Sequence, residues 1–218
     1  FYRDQGEILL AEKDFRRVLQ TSPNLPLGYQ LLGDLLHNAK HLVMAADIYE
    51  QGLRVDPANL AILGNLAHTR LGLGHYAVAL DLSRRVVALD PGQQESWFRI
   101  GACLCQTKRF ADALAPLEEA LKLKPDCLRS RAALCAAYYR LGRGVDMVAE
   151  QSAAAPYIEH SLSHLTQFNE VLTWLDCAEL AFPILEAYLD RHPSDAAGWS
   201  LLARLQIVAG DEEKGNAL

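Results

Sequence analysis

The sequence of 218 residues contains no long hydrophobic run. Its most apolar stretches are interrupted by Arg, Asp, Gln or His, and none approaches the roughly 18 apolar residues that a bilayer-spanning helix needs. The sequence therefore predicts no membrane span. Half of the residues are nevertheless hydrophobic, which is enough to form a continuous core and excludes general disorder.

The sequence also lacks an excess of basic residues. Its 21 Lys and Arg are outnumbered by 27 Asp and Glu, which gives a formal charge of −6. Proteins that follow a phosphate backbone need clustered positive charge. We therefore expect no nucleic acid partner.

Cysteines are few and odd in number. The five thiols form no even-numbered framework, which favours a reducing compartment, and we expect a cytoplasmic location. The chain begins at Phe1 without an initiator Met, and its first residues follow the pattern of a helix that has already begun. We expect the chain to be part of a longer protein, so that a signal peptide or an enzyme domain could lie outside it.

Motifs of catalysis are missing as well. The sequence has no glycine-rich phosphate loop, nucleophile elbow or paired-carboxylate arrangement, and we predict no catalytic residue and no cofactor. His160 and His164 have the spacing of two metal ligands on one helix and follow Glu159. No further ligand follows at a recognisable distance, and we predict no metal site.

The prolines are the most informative feature that is present. Pro23, Pro57, Pro91 and Pro125 follow one another at intervals of 34 residues, and Pro193 lies two intervals further on. A fixed period of this length is the signature of a repeat architecture. Proline ends a helix because it has no amide proton and disfavours helical angles in the residue before it.

Each 34-residue unit contains two helical patterns. Trp97, Ile100 and Leu104 recur at three- and four-residue spacing in a first helix, and Ala113 and Leu117 do so in a second. Most first helices have a small residue at the same repeat position, where a larger side chain would separate two packed helices. These residues are Gly33, Ala67, Gly101, Cys135 and Ala203.

The combined pattern W-x-x-L-G-x-x-Y, then A-x-x-x-F and P, resembles the tetratricopeptide repeat family. Its clear instances include Trp97, Gly101, Ala113 and Pro125. The resemblance implies an all-α, right-handed α-solenoid of stacked helix-turn-helix repeats. The predicted division is a partial repeat at 1–25, repeats at 26–59, 60–93 and 94–127, a divergent repeat at 128–161, a repeat-like unit at 162–195 and a partial repeat at 196–218.

The divergent repeat departs from the pattern in two ways. It has no terminal proline, and Gln151 stands where an aromatic residue is expected. Ser152, three alanines and Pro156 follow. We therefore predict a short second helix in this repeat and a longer link to the helix that starts near Ser161.

In the resembling family, the first helices line a concave groove that holds a peptide or protein. Carried onto this sequence, the candidate groove residues are Gln30, Asp34, His37, Asn65, His68, Phe98, Arg99, Arg129, Tyr139 and Arg140. The aromatic and arginine members predict a partner with an apolar anchor and an acidic residue. The alternative is an ordinary polar surface.

Some members of that family clamp a carboxylate with five conserved side chains. Only Asn65 and Arg99 match those positions, whereas Gln30, Asp34 and Glu95 occupy the others, and negative charge opposes carboxylate binding. We predict that this clamp is absent. Three functions stay open: a scaffold that binds a peptide or protein, a self-associating assembly arm, and a substrate-recruiting arm of a larger enzyme such as a glycosyltransferase.

Overall fold

The fold was analysed in a computed structural model, which describes residues 2–158 and 161–210. The described residues form α-helices and one short 3₁₀ helix, with no strand. The α-helices are α1 (Tyr2–Thr21), α2 (Pro26–Asn38), α3 (Leu42–Val55), α4 (Leu60–Gly72), α5 (Tyr76–Leu89), α6 (Gln94–Gln106), α7 (Phe110–Leu123), α8 (Leu128–Arg140), α9 (Gly144–Ile158), α10 (Leu162–Trp174), α11 (Phe182–Arg191) and α12 (Ala196–Val208), and the 3₁₀ helix is Ala178–Ala181.

The even-numbered helices, from α2 to α12, are the first helices of successive helix pairs. Each has 13 residues, and each begins 34 residues after the previous one. The spacing predicted from the prolines is therefore also the spacing of the helices. The predicted fold class, an all-α solenoid of helix pairs, is confirmed.

One turn geometry joins the two helices of a pair. A residue with positive φ follows each first helix by two positions, again at intervals of 34; the six are Lys40, Gly74, Lys108, Gly142, Asp176 and Gly210. After α2, the amide of His41 donates to the carbonyl of Leu36, and the same bond recurs from His75 to Arg70. These bonds satisfy the last carbonyls of the helix. The residue with positive φ turns the chain so that the following amide can reach them.

The repeating prolines also supply hydrogen-bond acceptors. Six residues after the proline, a side chain donates to the proline carbonyl: the Tyr29 hydroxyl to Pro23 at 3.0 Å and the Trp97 indole to Pro91 at 2.8 Å. Arg131 and Trp199 donate in the same way. In this way an aromatic or arginine side chain holds the inter-repeat turn against the next first helix.

The chain consists of two compact units, Phe1–Cys103 and Leu104–Leu218, with the boundary inside α6. In the first unit, a core of Leu32, Leu36, Ile62, Leu63 and neighbouring residues is fully buried or nearly so. Tyr49 of α3 packs in this core against Gly33 of α2, because only a glycine leaves space for its ring. The small residue of the first helix thus sets the distance between α2 and α3.

The second unit contains the divergent repeat. The expectation of a short second helix is wrong, because α9 runs for 15 residues to Ile158. Alanine favours helix strongly, and Pro156 lies in the last turn, where its missing amide removes a single hydrogen bond. The next helix pair is the one that departs from the regular repeat. Its second helix begins as the 3₁₀ turn Ala178–Ala181. Pro183 occupies the first turn of α11, where a missing amide is tolerated.

Candidate binding clefts on the first helices

A polar cleft lies between α2 and α4 in the first unit. Its walls are Asp34, His37, Asn38, Tyr49, Asn65 and His68, which enclose a cavity of about 350 Å³. We call it the α2–α4 cleft. Four of the ten predicted groove residues, Asp34, His37, Asn65 and His68, meet here.

Asp34 is the centre of the cleft. Its Oδ1 accepts a hydrogen bond from the Tyr49 hydroxyl at 2.5 Å and another from Asn65 Nδ2 at 2.7 Å. Among the described residues, no hydrogen bond to Oδ2 is found. The carboxylate is therefore fixed through one oxygen, while the other keeps its lone pairs for a ligand that donates.

The contact with Asp34 also affects the pKa of Tyr49. Burial, reinforced by the hydrogen bond to Asp34, raises the pKa of its hydroxyl well above the usual value. The hydroxyl therefore stays protonated and acts as a permanent donor to Asp34. The ring itself is buried, with 1% of its surface exposed, so the donor is held by the packing of the core.

His37 is oriented by a chain of hydrogen bonds. The buried Thr69 hydroxyl donates to the carbonyl of Asn65 at 2.8 Å, which uses its only proton. His37 Nδ1 lies 2.9 Å from the same hydroxyl oxygen. With the Thr69 proton directed to Asn65, we assign the proton of the neutral ring to Nδ1. This tautomer leaves Nε2 as a hydrogen-bond acceptor.

The charge state of His37 follows from its surroundings. Burial lowers the pKa of His37, and the positive charge of Lys40 lowers it further, against the opposing effect of Asp34. His37 is therefore neutral at pH 7. The His68 ring lies beside it, with centroids 5.0 Å apart. The cleft as a whole is rich in acceptors and carries a negative charge at Asp34.

The other predicted groove residues of the first unit do not join this cleft. Gln30 is half-buried and does not line the cavity. Phe98 and Arg99 lie in the interior, with exposed fractions of 5% and 8%. Repeat position alone assigned them to a groove, but this structure gives them almost no accessible surface.

The remaining predicted residues belong to the second unit and lie on α8. Arg129 is half-buried, whereas Tyr139 and Arg140 are exposed at the end of the helix. Arg140 Nη2 donates to the backbone carbonyl of Asp176 and lies 3.3 Å from its carboxylate. Part of the positive charge that an acidic partner would meet is thus already neutralised.

Tyr49, which lines the cleft, and Thr69, a buried residue bonded to His37, were not predicted as site residues. From the sequence, Tyr49 was interpreted as a packing residue of the second helix. Its hydroxyl, which lies opposite Asp34, is the feature that could have indicated the hydrogen bond between them. Thr69 lies four residues after Asn65, the distance at which a hydroxyl returns to the backbone of its own helix. A helical net drawn through α4 would have placed it on the same face as Asn65.

The cysteines and histidines outside the cleft show no reactive arrangement among the described residues. All five thiols are buried and unbridged, and burial raises the pKa of Cys103 and of Cys135 to about 12. Of the two histidines with metal-ligand spacing, His160 lies outside the described residues, as does Glu159, while His164 is exposed and its Nδ1 lies 2.9 Å from the Tyr157 carbonyl. The described part of the chain contains no cluster of three or more metal-ligating side chains.

None of the described helices is long and apolar enough to cross a membrane. A sequence model of the family described as "Tetratricopeptide repeat" matches residues 65–127, which covers α5, α6 and α7. Over these residues the chain is similar to the tetratricopeptide repeat family. Repeats of this family have the helix pairs and the 34-residue interval that the described residues show.

Known tetratricopeptide proteins resemble the chain beyond the matched segment. The tetratricopeptide repeat-containing protein trd-1 of Caenorhabditis elegans is 27% identical over 142 residues, which is 65% of this chain and 18% of that protein. The chain therefore spans less than a fifth of the length of that relative.

Two solved structures resemble the fold. A tetratricopeptide repeat protein from Parabacteroides merdae aligns with a TM-score of 0.72 and 17% identity over 98% of this chain and 85% of its own. YrrB, described as a tetratricopeptide protein with an unusual peptide-binding site, aligns with a TM-score of 0.62 and 15% identity over 84% of this chain and 95% of its own. At these identities the likeness establishes the fold alone.

Proposed function

We propose that this chain is a protein-interaction scaffold that binds a peptide segment of its partner at the α2–α4 cleft. The observation that carries the proposal is the Asp34 carboxylate, which two donors hold through Oδ1 while Oδ2 has no partner among the described residues. A fixed, partly open carboxylate at the wall of a cavity is an arrangement that recognises a donor group. The peptide-binding site of YrrB, a protein of the same fold, supports this role.

The chemistry of the cleft specifies the bound group. Asp34 is negative, His37 offers Nε2 as an acceptor, and the chain carries a formal charge of −6. A lysine or arginine side chain supplies the matching positive charge and donors. We therefore assign a basic residue of the partner to this cleft, whose lining contains no lysine or arginine that could bind the predicted acidic residue.

Selection from a random displayed peptide library against the 218-residue chain tests the assignment. We expect enrichment of Lys or Arg, and Asp34→Asn should weaken the selected peptides about tenfold or more, because it removes the charge and keeps the shape. Asp47→Asn is the matched control, since Asp47 is exposed on α3 of the same unit. Equal effects of the two substitutions would contradict binding at this cleft.

The same preparation separates the self-associating arm from the peptide scaffold. A scaffold for a foreign peptide should keep one mass in light scattering over a wide range of protein concentration. A mass that rises with concentration and is restored to the monomer value by Asp34→Asn would mean that the cleft binds a second copy of the chain.

A further inference from the structure

The turn between α1 and α2 differs by one side chain from the next two turns between repeats. The first residue after α1 is Ser22, whereas the first residues after α3 and α5 are Asp56 and Asp90. The three turns share their backbone hydrogen bonds. The carbonyl of Ser22 accepts from the amide three residues later at 3.3 Å, and those of Asp56 and Asp90 do so at 3.2 Å and 3.3 Å. Ser22 therefore occupies the place of a carboxylate in a turn of the same geometry.

Both carboxylates are bound by the turn that follows them. Asp90 Oδ1 accepts from the amide of Gly92 at 2.9 Å, and its Oδ2 accepts from Gln93 Nε2 at 2.6 Å. Asp56 accepts in the same way from the amide two residues later at 3.3 Å and from Asn59 Nδ2 at 3.1 Å. The hydrogen bonds from Gln93 and Gly92 lower the pKa of the Asp90 carboxyl. The turn therefore favours a negative group at this position.

The turn after α1 has the same backbone donor without its acceptor. The equivalent of the Gly92 amide is the amide of Asn24, two residues after Ser22. Among the described residues, neither the Asn24 amide nor the Ser22 hydroxyl has a hydrogen-bond partner. Leu25, the N-cap residue of α2, offers no side-chain acceptor. An anionic group attached to Ser22 would supply the acceptor that the other two turns contain.

Ser22 is also accessible to a modifying enzyme. All residues from 20 to 25 are exposed. Of the nine prolines in the sequence, only Pro23 follows a serine or threonine. Proline disfavours helical angles in the residue before it, and the equivalent Asp56 and Asp90 are extended, with φ of −135° and −142°. An exposed and extended Ser-Pro pair is a form that a protein kinase specific for Ser-Pro can bind.

We propose that Ser22 is a phosphorylation site and that its phosphate binds in the turn after α1 as the carboxylates of Asp56 and Asp90 bind in theirs. The phosphate donor is a nucleoside triphosphate. Ser22 Oγ forms a bond to the γ-phosphorus while the bond from that phosphorus to the bridging oxygen breaks. The nucleoside diphosphate leaves, and the hydroxyl proton passes through the kinase to solvent. The proposal does not depend on the α2–α4 cleft.

The two helix ends at this turn act on a phosphate in opposite directions. The C-terminal end of α1 repels negative charge, and the N-terminal end of α2 attracts it. The neighbouring turns show that an anion is accommodated, since Asp56 and Asp90 also lie between two helix ends and are hydrogen-bonded there. A phosphate has about −1.5 to −2 charges at pH 7 and three acceptor oxygens, so it should bind the Asn24 amide more strongly than a carboxylate would.

The phosphate would strengthen the contact between α1 and α2. Leu19 of α1 packs against Gly28 of α2, and the Tyr29 hydroxyl donates to the carbonyl of Pro23 in the turn. A hydrogen bond from the Asn24 amide to the phosphate would add a third connection. Phosphorylation should therefore hold α1 more firmly against the first unit.

A kinase reaction tests the site. The 218-residue chain is incubated with magnesium, ATP and a purified kinase specific for Ser-Pro, and we expect its mass to rise by one phosphoryl group located on Ser22. Ser22→Ala should take up no phosphate. Thr21→Ala is the matched control, because it removes the neighbouring exposed hydroxyl, which donates to the backbone of α1. Uptake at other residues, or uptake only by the unfolded chain, would overturn the proposal.

Phosphorus NMR tests whether the turn binds the phosphate. Hydrogen bonds to the dianion should lower its second pKa, which is about 6 in an exposed phosphoserine, relative to the same chain unfolded in urea. The added stability is then present above about pH 6 and is lost as the pH falls through the lower, folded value. The Asn24 amide proton resonance should move downfield on phosphorylation. Equal phosphate pKa values in the folded and unfolded chains would show that the turn does not bind the phosphate.

Two substitutions test the turn without a kinase. Ser22→Asp introduces the carboxylate of the next two turns, and the melting temperature should rise by roughly 2 °C relative to Ser22→Ala. Asp90→Ser makes the reverse change between α5 and α6 and should lower the melting temperature by about as much. A Ser22→Asp chain that melts no higher than Ser22→Ala would mean that this turn has no place for an anion.

Discussion

The α2–α4 cleft and the cavity of about 370 Å³ between α10 and α12, which Asn169 lines, differ in the pairing of their polar groups. In the α2–α4 cleft, Asp34 Oδ1, Tyr49 and Thr69 all have hydrogen-bond partners within the protein. In the cavity between α10 and α12, the buried Asn169 side chain has none among the described residues. Both belong to a chain of identical repeat length, so the difference arises from side chains and not from backbone spacing.

The comparison separates two states of buried polar groups. A satisfied network orients its charged group before a ligand arrives and stabilises the fold at the same time. An unpaired buried amide lowers the stability of the fold. Alteration of the α2–α4 cleft should therefore lower stability, whereas alteration of Asn169 should raise it.

The largest effect should come from removing the space that positions Tyr49. In Gly33→Ala, the new Cβ would lie 2.6 Å from Tyr49 Cδ1 and closer still to Cε1, and the buried ring cannot move aside. We expect a loss of about 3 kcal/mol in the free energy of unfolding, at the upper end of ordinary overpacking. Urea denaturation measures it.

Gly64→Ala is the matched control for this substitution. A Cβ at Gly64, in α4 of the same unit, meets nothing within 4 Å. Alanine should stabilise the helix there by about 0.5–1 kcal/mol. If both substitutions stabilised the chain, Tyr49 would not be held against α2 and the proposed origin of the cleft would be wrong.

The next effect concerns the hydrogen bond between Tyr49 and Asp34. Tyr49→Phe keeps the ring and removes the donor, and we expect a loss of about 1.5 kcal/mol because the acceptor is charged. Thermal unfolding followed by circular dichroism gives the change. Tyr29→Phe removes an exposed bond to the neutral Pro23 carbonyl and should cost less. A larger loss for Tyr29→Phe would argue against the network as a source of stability.

The cavity between α10 and α12 should respond in the opposite direction. Asn169→Ala removes an unpaired amide and restores the small side chain of the other repeats, so we expect a gain of about 1 kcal/mol. A higher melting temperature at unchanged helicity is the expected readout. A lower melting temperature would mean that Asn169 is satisfied within the folded chain.

The smallest effect concerns pH and acts through His37. Its folded pKa is lower than the ordinary value of 6.5, so the unfolded chain binds more protons below that value. The contribution of neutral His37 to stability is therefore present above pH 6.5 and is lost as the pH falls through the folded pKa. Unfolding free energies measured from about pH 7 to about pH 5 should fall less steeply in His37→Gln. An unchanged slope would mean that His37 has the same pKa in both states.

Sequence periodicity was sufficient to predict the helix pairs because each pair depends on residues close in sequence. The prolines predicted the interval, and the apolar spacing around Trp97 predicted the buried face of α6. Asp34, His37, Asn65 and His68 could be assigned together because successive first helices lie side by side in the resembling fold. The repeat boundaries themselves stay a prediction.

Burial and hydrogen bonding could not be predicted in the same way. Repeat position assigned Phe98 and Arg99 to a groove, and only the structure shows that both lie in the interior. The length of α9 depends on whether alanine propensity outweighs the missing amide of Pro156, a balance of small terms. Asn169 did leave a signal, since it interrupts a series of small residues, but only the structure shows that its amide has no partner.

The recurrent turns have a consequence for how the chain folds. Each turn joins its two helices through a bond between residues five positions apart, as from His41 to Leu36, so closing it orders very little chain. Topologies dominated by such local closures fold rapidly. Helical hairpins should therefore form first and independently, and the slower step is the docking of one hairpin onto the next.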